Sequence, residues 1–360
     1  MEHQLLSFAS VMQNILYILL AVIVLLVMIT VHEFGHYTAG KIFRFKINEF
    51  AIGFGPKLFS RQAKSGEVFS VRALPLGGFC AFAGEDEDDP EPDSFNNKKP
   101  WQRIIVLVSG ALMNYLLAVV LIIVMFAAYG QPAYRVHALA DGSALAQEQA
   151  LRVDDVILSI NGRRIYMATD IMKSIDDFAA GDAVPVTVLR NGEKRELEIA
   201  LQSDGDFVNI EDTDALLKAL GCKSLYAVNV RGGFWNTLGS SFEYSFRIAG
   251  TIFTVLGQLL TGRIGLSSLG GTITTVTVTA NAIKTGGLNY LLMISSFIGV
   301  NLAVFNLLPI PALDGSRVIF TLIEWVRKKP LNRKVEGAIH FAGLLLLVGF
   351  AILVDLLQLF

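Results

Sequence analysis

The chain has 360 residues, 53% of them hydrophobic and 17% charged, with a formal net charge of −2. That is more apolar and less charged than a soluble globular protein, and it argues against nucleic acid as a partner. The length allows two or three domains. Its two cysteines, Cys80 and Cys222, are too few for a disulfide framework, so a metal site here must be built from His and carboxylate.

The N-terminus, Met1-Glu2-His3-Gln4, carries no Lys or Arg, so the first apolar run is expected to be retained rather than cleaved. Four stretches meet the ~20 apolar residues a bilayer requires. They are roughly Ile15 to Val31, Ile104 to Tyr129, Leu288 to Leu308 and Gly337 to Val354. The loop after the first span carries Lys41, Arg44, Lys46, Lys57, Arg61, Lys64, Arg72, Lys98, Lys99 and Arg103. The loop after the third carries Arg317, Arg327, Lys328, Lys329, Arg333 and Lys334. Both loops are expected to be cytoplasmic, and the segment after span two to lie outside. Cys80 and Cys222 then fall on opposite sides and do not pair.

The first span ends in His32-Glu33-Phe34-Gly35-His36. Two histidines four apart share one face of a helix, so both imidazoles can reach one Zn²⁺, with Glu33 beside the open position as general base. A His and a Glu at the edge of an apolar span are costly, which makes function the default reading. A catalytic zinc wants a third protein ligand. The third span ends Asn306-Leu307-Leu308-Pro309-Ile310-Pro311-Ala312-Leu313-Asp314-Gly315. Its prolines break the helix and put Asp314 on irregular backbone at the same end as His32 and His36. Asp314 is therefore the candidate third ligand. Glu49, in the basic loop, fits less well.

Between these motifs the chain changes character. Val68 to Ala83 has only Arg72 charged and reads as a membrane-associated strand. Glu85 to Asp93 is an acidic run, read as a solvated loop. From about Gln131 to Gln202 short alternating runs appear: Tyr134 to Leu139, Asp155 to Gly162 and Val184 to Gly192. Asn161-Gly162 and Asn191-Gly192 are hairpin signals. Asp141 to Leu151 and Met167 to Phe178 have helical spacing. This β-rich insert resembles a PDZ domain, most clearly from Asp155 to Gly162, with Ala150-Leu151 and Asp154-Asp155 where bacterial relatives carry Gly-Leu and Gly-Asp. Phe234 to Leu260 reads as an amphipathic helix at the outer interface, with a hairpin formed with Gly265 to Ala282 as the alternative.

HEFGH in a first span with NxxPxPxxDG ending a later one resembles the site-2 proteases, intramembrane zinc metalloproteases, and their RseP-type bacterial branch in particular. Gly53-Phe54-Gly55-Pro56, Arg72 to Phe79, and Gly110 with Asn114 carry the resemblance further. It implies a polytopic α-helical membrane protein with four core spans, a membrane-associated β-hairpin and an inserted PDZ-like domain. The divisions expected are 1–130 for spans one and two with the β loop, 131–202 for the extracytoplasmic insert, 203–285 for a linker and interfacial helix, and 286–360 for spans three and four. The resemblance implies one Zn²⁺ held by His32, His36 and Asp314, Glu33 as the base, and Asn306 holding the substrate carbonyl or oxyanion. Gly53, Gly55, Gly77 and Gly78 would belong to a strand that pairs with an unwound substrate. The implied activity is cleavage of single-span membrane proteins in the inner membrane of a bacterium, such as an anti-sigma factor already trimmed outside. Alternatives are clearance of remnant signal peptides, a catalytically silent PDZ scaffold, and a zinc transporter. A transporter needs metal sites along a path, and here there is one at one end.

Overall fold

A computed structural model describes the chain apart from residues 1, 86–88, 141–150, 205–212, 266–269 and 359–360. The chain divides into two compact units, Met1–Ile122 with Gly265–Phe360, and Ile123–Ile264.

The first unit is helical. α1 (Glu2–Ile42), α2 (Pro100–Tyr129), α6 (Thr272–Asn306) and α8 (Arg333–Leu357) contain the four stretches long and apolar enough to cross a membrane. Large apolar side chains stand outward along them, among them Leu16, Leu112, Val120, Leu345 and Leu346. That is the surface expected of helices whose solvent is lipid, where apolar exposure carries no penalty. α6 is broken at Gly287, whose φ of 59° and ψ of −141° are non-helical. Its second half is the expected third span. The first half was not expected in that helix, because its Thr-rich sequence lacks a continuous apolar run. α7 (Asp314–Arg327) follows after a short loop.

Between α1 and α2 lie two long strands, β1 (Ile47–Gln62) and β2 (Val68–Phe82). Each is bent into two segments. Glu49 to Ile52 is flanked on one side by Gly78 to Ala81 and on the other by Val68 to Val71, while Lys57 to Gln62 pairs with Val68 to Arg72. The corners are made by Gly53, Gly55 and Gly77, with φ of 85°, 84° and 118°. A Cβ on Gly53 would lie 2.6 Å from the Leu74 carbonyl oxygen, so only glycine allows the crossing. Phe54, Leu58, Phe59 and Leu74 are exposed on these segments. Glu49 is not part of the His32, His36 and Asp314 donor group. It is tied to Ser70, Arg72 and Lys57 at 2.6, 2.8 and 3.0 Å.

The second unit is a sheet with strand order β7-β6-β4-β3-β8 and a short β5 beside β4. β3 (Gln131–Leu139), β4 (Val156–Ile160), β5 (Arg163–Arg164), β6 (Ala183–Arg190) and β7 (Glu193–Ala200) fall where the alternating runs lie. Both Asn-Gly pairs are turns with positive φ at both residues, Asn161 and Gly162 at 49° and 71°, Asn191 and Gly192 at 53° and 83°. That is the hairpin geometry whose twist matches the strands. α3 (Ala168–Ile175) matches the second helical pattern. The first, Asp141 to Leu151, falls almost entirely outside the described residues. Val136, Ile157, Ile160, Ile171, Val186 and Leu216 form the core. Asp155 anchors it, taking a two-pronged ion pair from Arg190 at 2.8 and 2.7 Å.

The sheet does not stop at Gln202. After α4 (Thr213–Ala219), β8 (Cys222–Val230) pairs with β3 over its whole length, ending on Gln131 opposite Val230. α5 (Phe234–Leu260) belongs to the same unit. It is not among the four apolar candidates to span a membrane. Its buried face carries Thr237, Ser240, Ser241, Tyr244, Ser245, Ile248 and Ile252.

Candidate active site

α1 places His32 and His36 one turn apart with Glu33 next to His32, and α2 crosses it there. Two glycines permit the crossing. A Cβ on Gly35 would lie 2.4 Å from the Ser109 carbonyl oxygen, and one on Gly110 would lie 2.4 Å from His36 Nε2 and 2.8 Å from His32 Cε1. The backbones touch at the first and both imidazoles occupy the space left by the second. Both histidines are buried.

Asp314 reaches the same point from α7. After α6 ends, Gly315 folds back against it, so close that a Cβ there would lie 2.3 Å from the Leu308 carbonyl oxygen. The intervening loop is held by α8: the Ala312 N–H donates to His340 Nδ1 at 3.1 Å, and Gly343 leaves room for Pro311. Irregular backbone held in this way against protein and beside a cavity is the kind a membrane tolerates.

The three side chains converge. His32 Nε2 stands 3.1 Å from His36 Nε2 and 3.0 Å from Asp314 Oδ2, and His36 Nε2 stands 3.4 Å from that same oxygen. Two ligands each ~2.05 Å from a tetrahedral zinc lie about 3.3 Å apart, so the donor triangle has the dimensions a zinc ion requires. Among the described residues these are the group of His, Cys, Asp or Glu donors close enough to share a metal. The imidazoles are also correctly oriented. His36 Nδ1 donates to the Val106 carbonyl at 2.8 Å, which leaves the Nε2 lone pair for a metal. His32 Nδ1 meets the Asn306 amide at 3.4 Å. With the proton on Nδ1, the amide end that fits is the oxygen, which leaves the NH₂ for other partners.

Glu33 stands beside this group. His32, Glu33, Asn306 and Asp314 line one cavity of about 300 Å3, together with Ile29, Asn114, Leu302, Ala312 and Leu313. The Glu33 carboxylate also accepts from the Cys80 backbone on β2. A Cβ on Gly78 would lie 3.3 Å from the Glu33 side chain, so this edge of β2 runs directly past it. Gly53, Gly55 and Gly77 are absent from the cavity lining and shape the corners of the strands instead.

Two residues carried a signal whose meaning only the structure supplies. Gly110 makes room for the imidazoles. Asn114 is completely buried in the cavity wall, and neither its Nδ2 nor its Oδ1 has a hydrogen-bond partner. The family resemblance singled out both, but what surrounds them lies across a helix crossing and is not readable along the chain.

The profile of Peptidase family M50 matches residues 20–350. The chain belongs to peptidase family M50. The resemblance to site-2 proteases drawn from its motifs therefore holds, and the chain is a metallopeptidase. Among similar proteins is one from Clostridium perfringens named as a zinc metalloprotease, 34% identical over 346 residues, covering 95% of this chain and 98% of the relative. One from Fusobacterium nucleatum with the same kind of name is 33% identical over 341 residues, covering 94% and 96%. The regulator of sigma-W protease RasP of Bacillus subtilis is 28% identical over 405 residues, covering 88% of this chain and 92% of its own length. The M50 match spans both the helix carrying His32 and the segment carrying Asp314.

Proposed function

We propose that the chain is an intramembrane zinc endopeptidase that cuts single-span membrane proteins. One observation carries this reading: the three donor atoms lie 3.0 to 3.4 Å apart beside a cavity that Glu33 also lines, with both histidines on a helix apolar enough to cross a bilayer and Asp314 just past the end of another. His32, His36 and Asp314 would hold the zinc. When bound, zinc makes a water nucleophilic near neutral pH and polarises a carbonyl. Glu33 takes the proton of the attacking water and returns it to the leaving amine. Asn306 and Asn114 line the space the substrate backbone would fill, where preorganised donors favour the developing oxyanion. An unwound substrate strand would lie along Gly78 to Phe82, which pairs on one side with Ile47 to Ile52 and with no other strand among the described residues.

The basic loops favour an inner membrane of a bacterium, with this site toward the cytoplasm. The order and hairpins of the second unit's sheet support a PDZ-like domain, placed outside by the same charge rule. The name of the RasP relative, a regulator of sigma-W protease, supports a substrate tied to sigma-factor control, and the class the motif resemblance implies is an anti-sigma factor trimmed beforehand.

The test is Glu33→Gln and Asp314→Ala in the full chain, reconstituted in bilayers with a single-span substrate. Glu33→Gln should keep its zinc and lose ~10²-fold or more of its activity, the cost of removing a general base. Asp314→Ala should lose both. A Glu33→Gln protein cutting at about a tenth of the wild-type rate, or an Asp314→Ala protein with full zinc, would overturn the assignment.

A further inference from the structure

In the first unit, the N-terminal ends of α2 and α8 and the C-terminal end of α7 enclose an open cleft of about 980 Å3, separate from the active-site cavity. Six cations line it: Lys98, Arg103, Lys328, Lys329, Arg333 and Lys334. The lining holds a single carboxylate, Glu324. Glu324 is fully committed, accepting from Arg103 at 2.6 Å, from Arg333 at 2.8 Å and from the Leu331 N–H at 2.8 Å. Glu336 takes the other side of Arg333 at 2.8 Å. Even with Glu336 counted, which lies outside the lining, two carboxylates stand against six cations. Lys328, Lys329 and Lys334 are exposed and make no ion pair among the described residues.

The floor of the cleft also lacks an acceptor. The Arg103 side chain is only 6% exposed, yet its Nε is buried without a hydrogen-bond partner. A buried donor of this kind is costly unless something fills it. A guanidinium offers a planar fork that suits the oxygens of a phosphate.

The position identifies the source of that phosphate. Two helices apolar enough to cross a membrane, α2 and α8, both begin at this cleft. Trp325, on its rim, is half exposed. Tryptophan and cations at the ends of apolar helices sit at headgroup depth. We propose that the cleft binds the phosphate of an anionic phospholipid headgroup. The surplus of positive charge selects a headgroup with net negative charge over a zwitterionic one. This site is independent of the proteolytic reading.

Trp325 provides the readout. In the full chain carrying Trp101→Phe and Trp235→Phe, fluorescence reports Trp325 alone. The protein is placed in phosphatidylcholine bilayers containing a minority of brominated phosphatidylglycerol, or the same fraction of brominated phosphatidylcholine. Local enrichment of the anionic lipid should exceed that of the zwitterionic one by about fivefold or more, as expected for a few cations acting together. Lys328→Gln, Lys329→Gln and Lys334→Gln together should abolish the preference, and Lys→Arg at the same three positions should keep it. Equal quenching by the two lipids would overturn the proposal. So would a preference that survives the triple Gln change, or one that inorganic phosphate removes at constant ionic strength, because the cleft would then take free phosphate ahead of lipid.

Discussion

Gly110 and His36 are so close that a single β-carbon on the glycine would lie 2.4 Å from the Nε2 that points at the metal position. His36 cannot swing aside, because its Nδ1 is tied to the Val106 carbonyl at 2.8 Å. Gly110→Ala should therefore leave the helices folded and weaken zinc binding by ~10-fold or more, in line with other disturbances around metal ligands. Gly35→Ala should act differently. Its β-carbon meets backbone, at 2.4 Å from the Ser109 carbonyl oxygen, so it should separate α1 from α2 and cost about 1–3 kcal/mol of stability. Zinc content and thermal denaturation, measured on both, check the contrast. Gly110→Ala with full zinc affinity would show that the site has more freedom than the geometry allows.

Asn114 presents a buried amide with no partner in the wall of the active-site cavity. Replacing a buried unsatisfied amide with an apolar group of the same shape is nearly neutral or stabilising. Asn114→Leu should accordingly keep its melting temperature and its zinc while kcat/KM falls by ~10- to 10²-fold through loss of a substrate or oxyanion contact. A change that lowers stability and activity together would assign Asn114 to packing instead.

Glu49 lies near the corner of the bent strands, bound to Ser70, Arg72 and Lys57. Burial alone would raise its carboxyl, but those hydrogen bonds win and bring it from 4.5 down to about 2. A carboxylate depressed in the folded state contributes stability that is fully present above about pH 4.5 and is lost as pH falls toward 2. Glu49→Gln should cost about 1–2 kcal/mol at pH 7, after discounting for its partly exposed partner Lys57. The difference from wild type should shrink steadily below pH 4 and nearly vanish near pH 2, followed by thermal unfolding in detergent. A difference that does not change with pH would assign the loss to shape rather than charge.

The parts of this molecule that were legible in advance are those written locally. The four apolar runs, the two Asn-Gly turns and the HEFGH spacing each depend on neighbours within a helix or a hairpin. Asp314 was legible because two prolines in sequence force irregular backbone. The remainder depends on partners far along the chain. Gly53 and Gly77 become corners only when β1 and β2 cross, and Gly110 becomes an imidazole slot only when α2 meets α1. β8 is a strand because β3, some ninety residues earlier, offers an edge to it. The first half of α6 is helical although Thr272 to Thr279 is rich in β-branched residues, a case of tertiary context overriding local propensity.

The pairing of β8 with β3 also determines how the inserted domain can be tested. Cutting from Tyr134 to Leu201 would strip β3 from β8 and leave a strand without its partner. Gln131 and Val230 are opposite each other in the ladder, so their Cα atoms are about 5 Å apart and a short Gly-Ser linker can join them. Excision of residues 132–229 thus removes the sheet as a unit. We propose that the insert is a steric gate that admits substrates only after their external domain has been removed. Its place in the chain, between the helices that carry the site, motivates this reading. The excised protein should then cut substrates with intact external domains at close to the rate of trimmed ones, while the full chain strongly prefers trimmed ones. If the excised protein binds zinc and cuts trimmed substrates but still rejects untrimmed ones, the gate is elsewhere. Binding of new substrate C-termini by the full chain, lost on excision along with cleavage of trimmed substrates, would instead make the domain a peptide receptor.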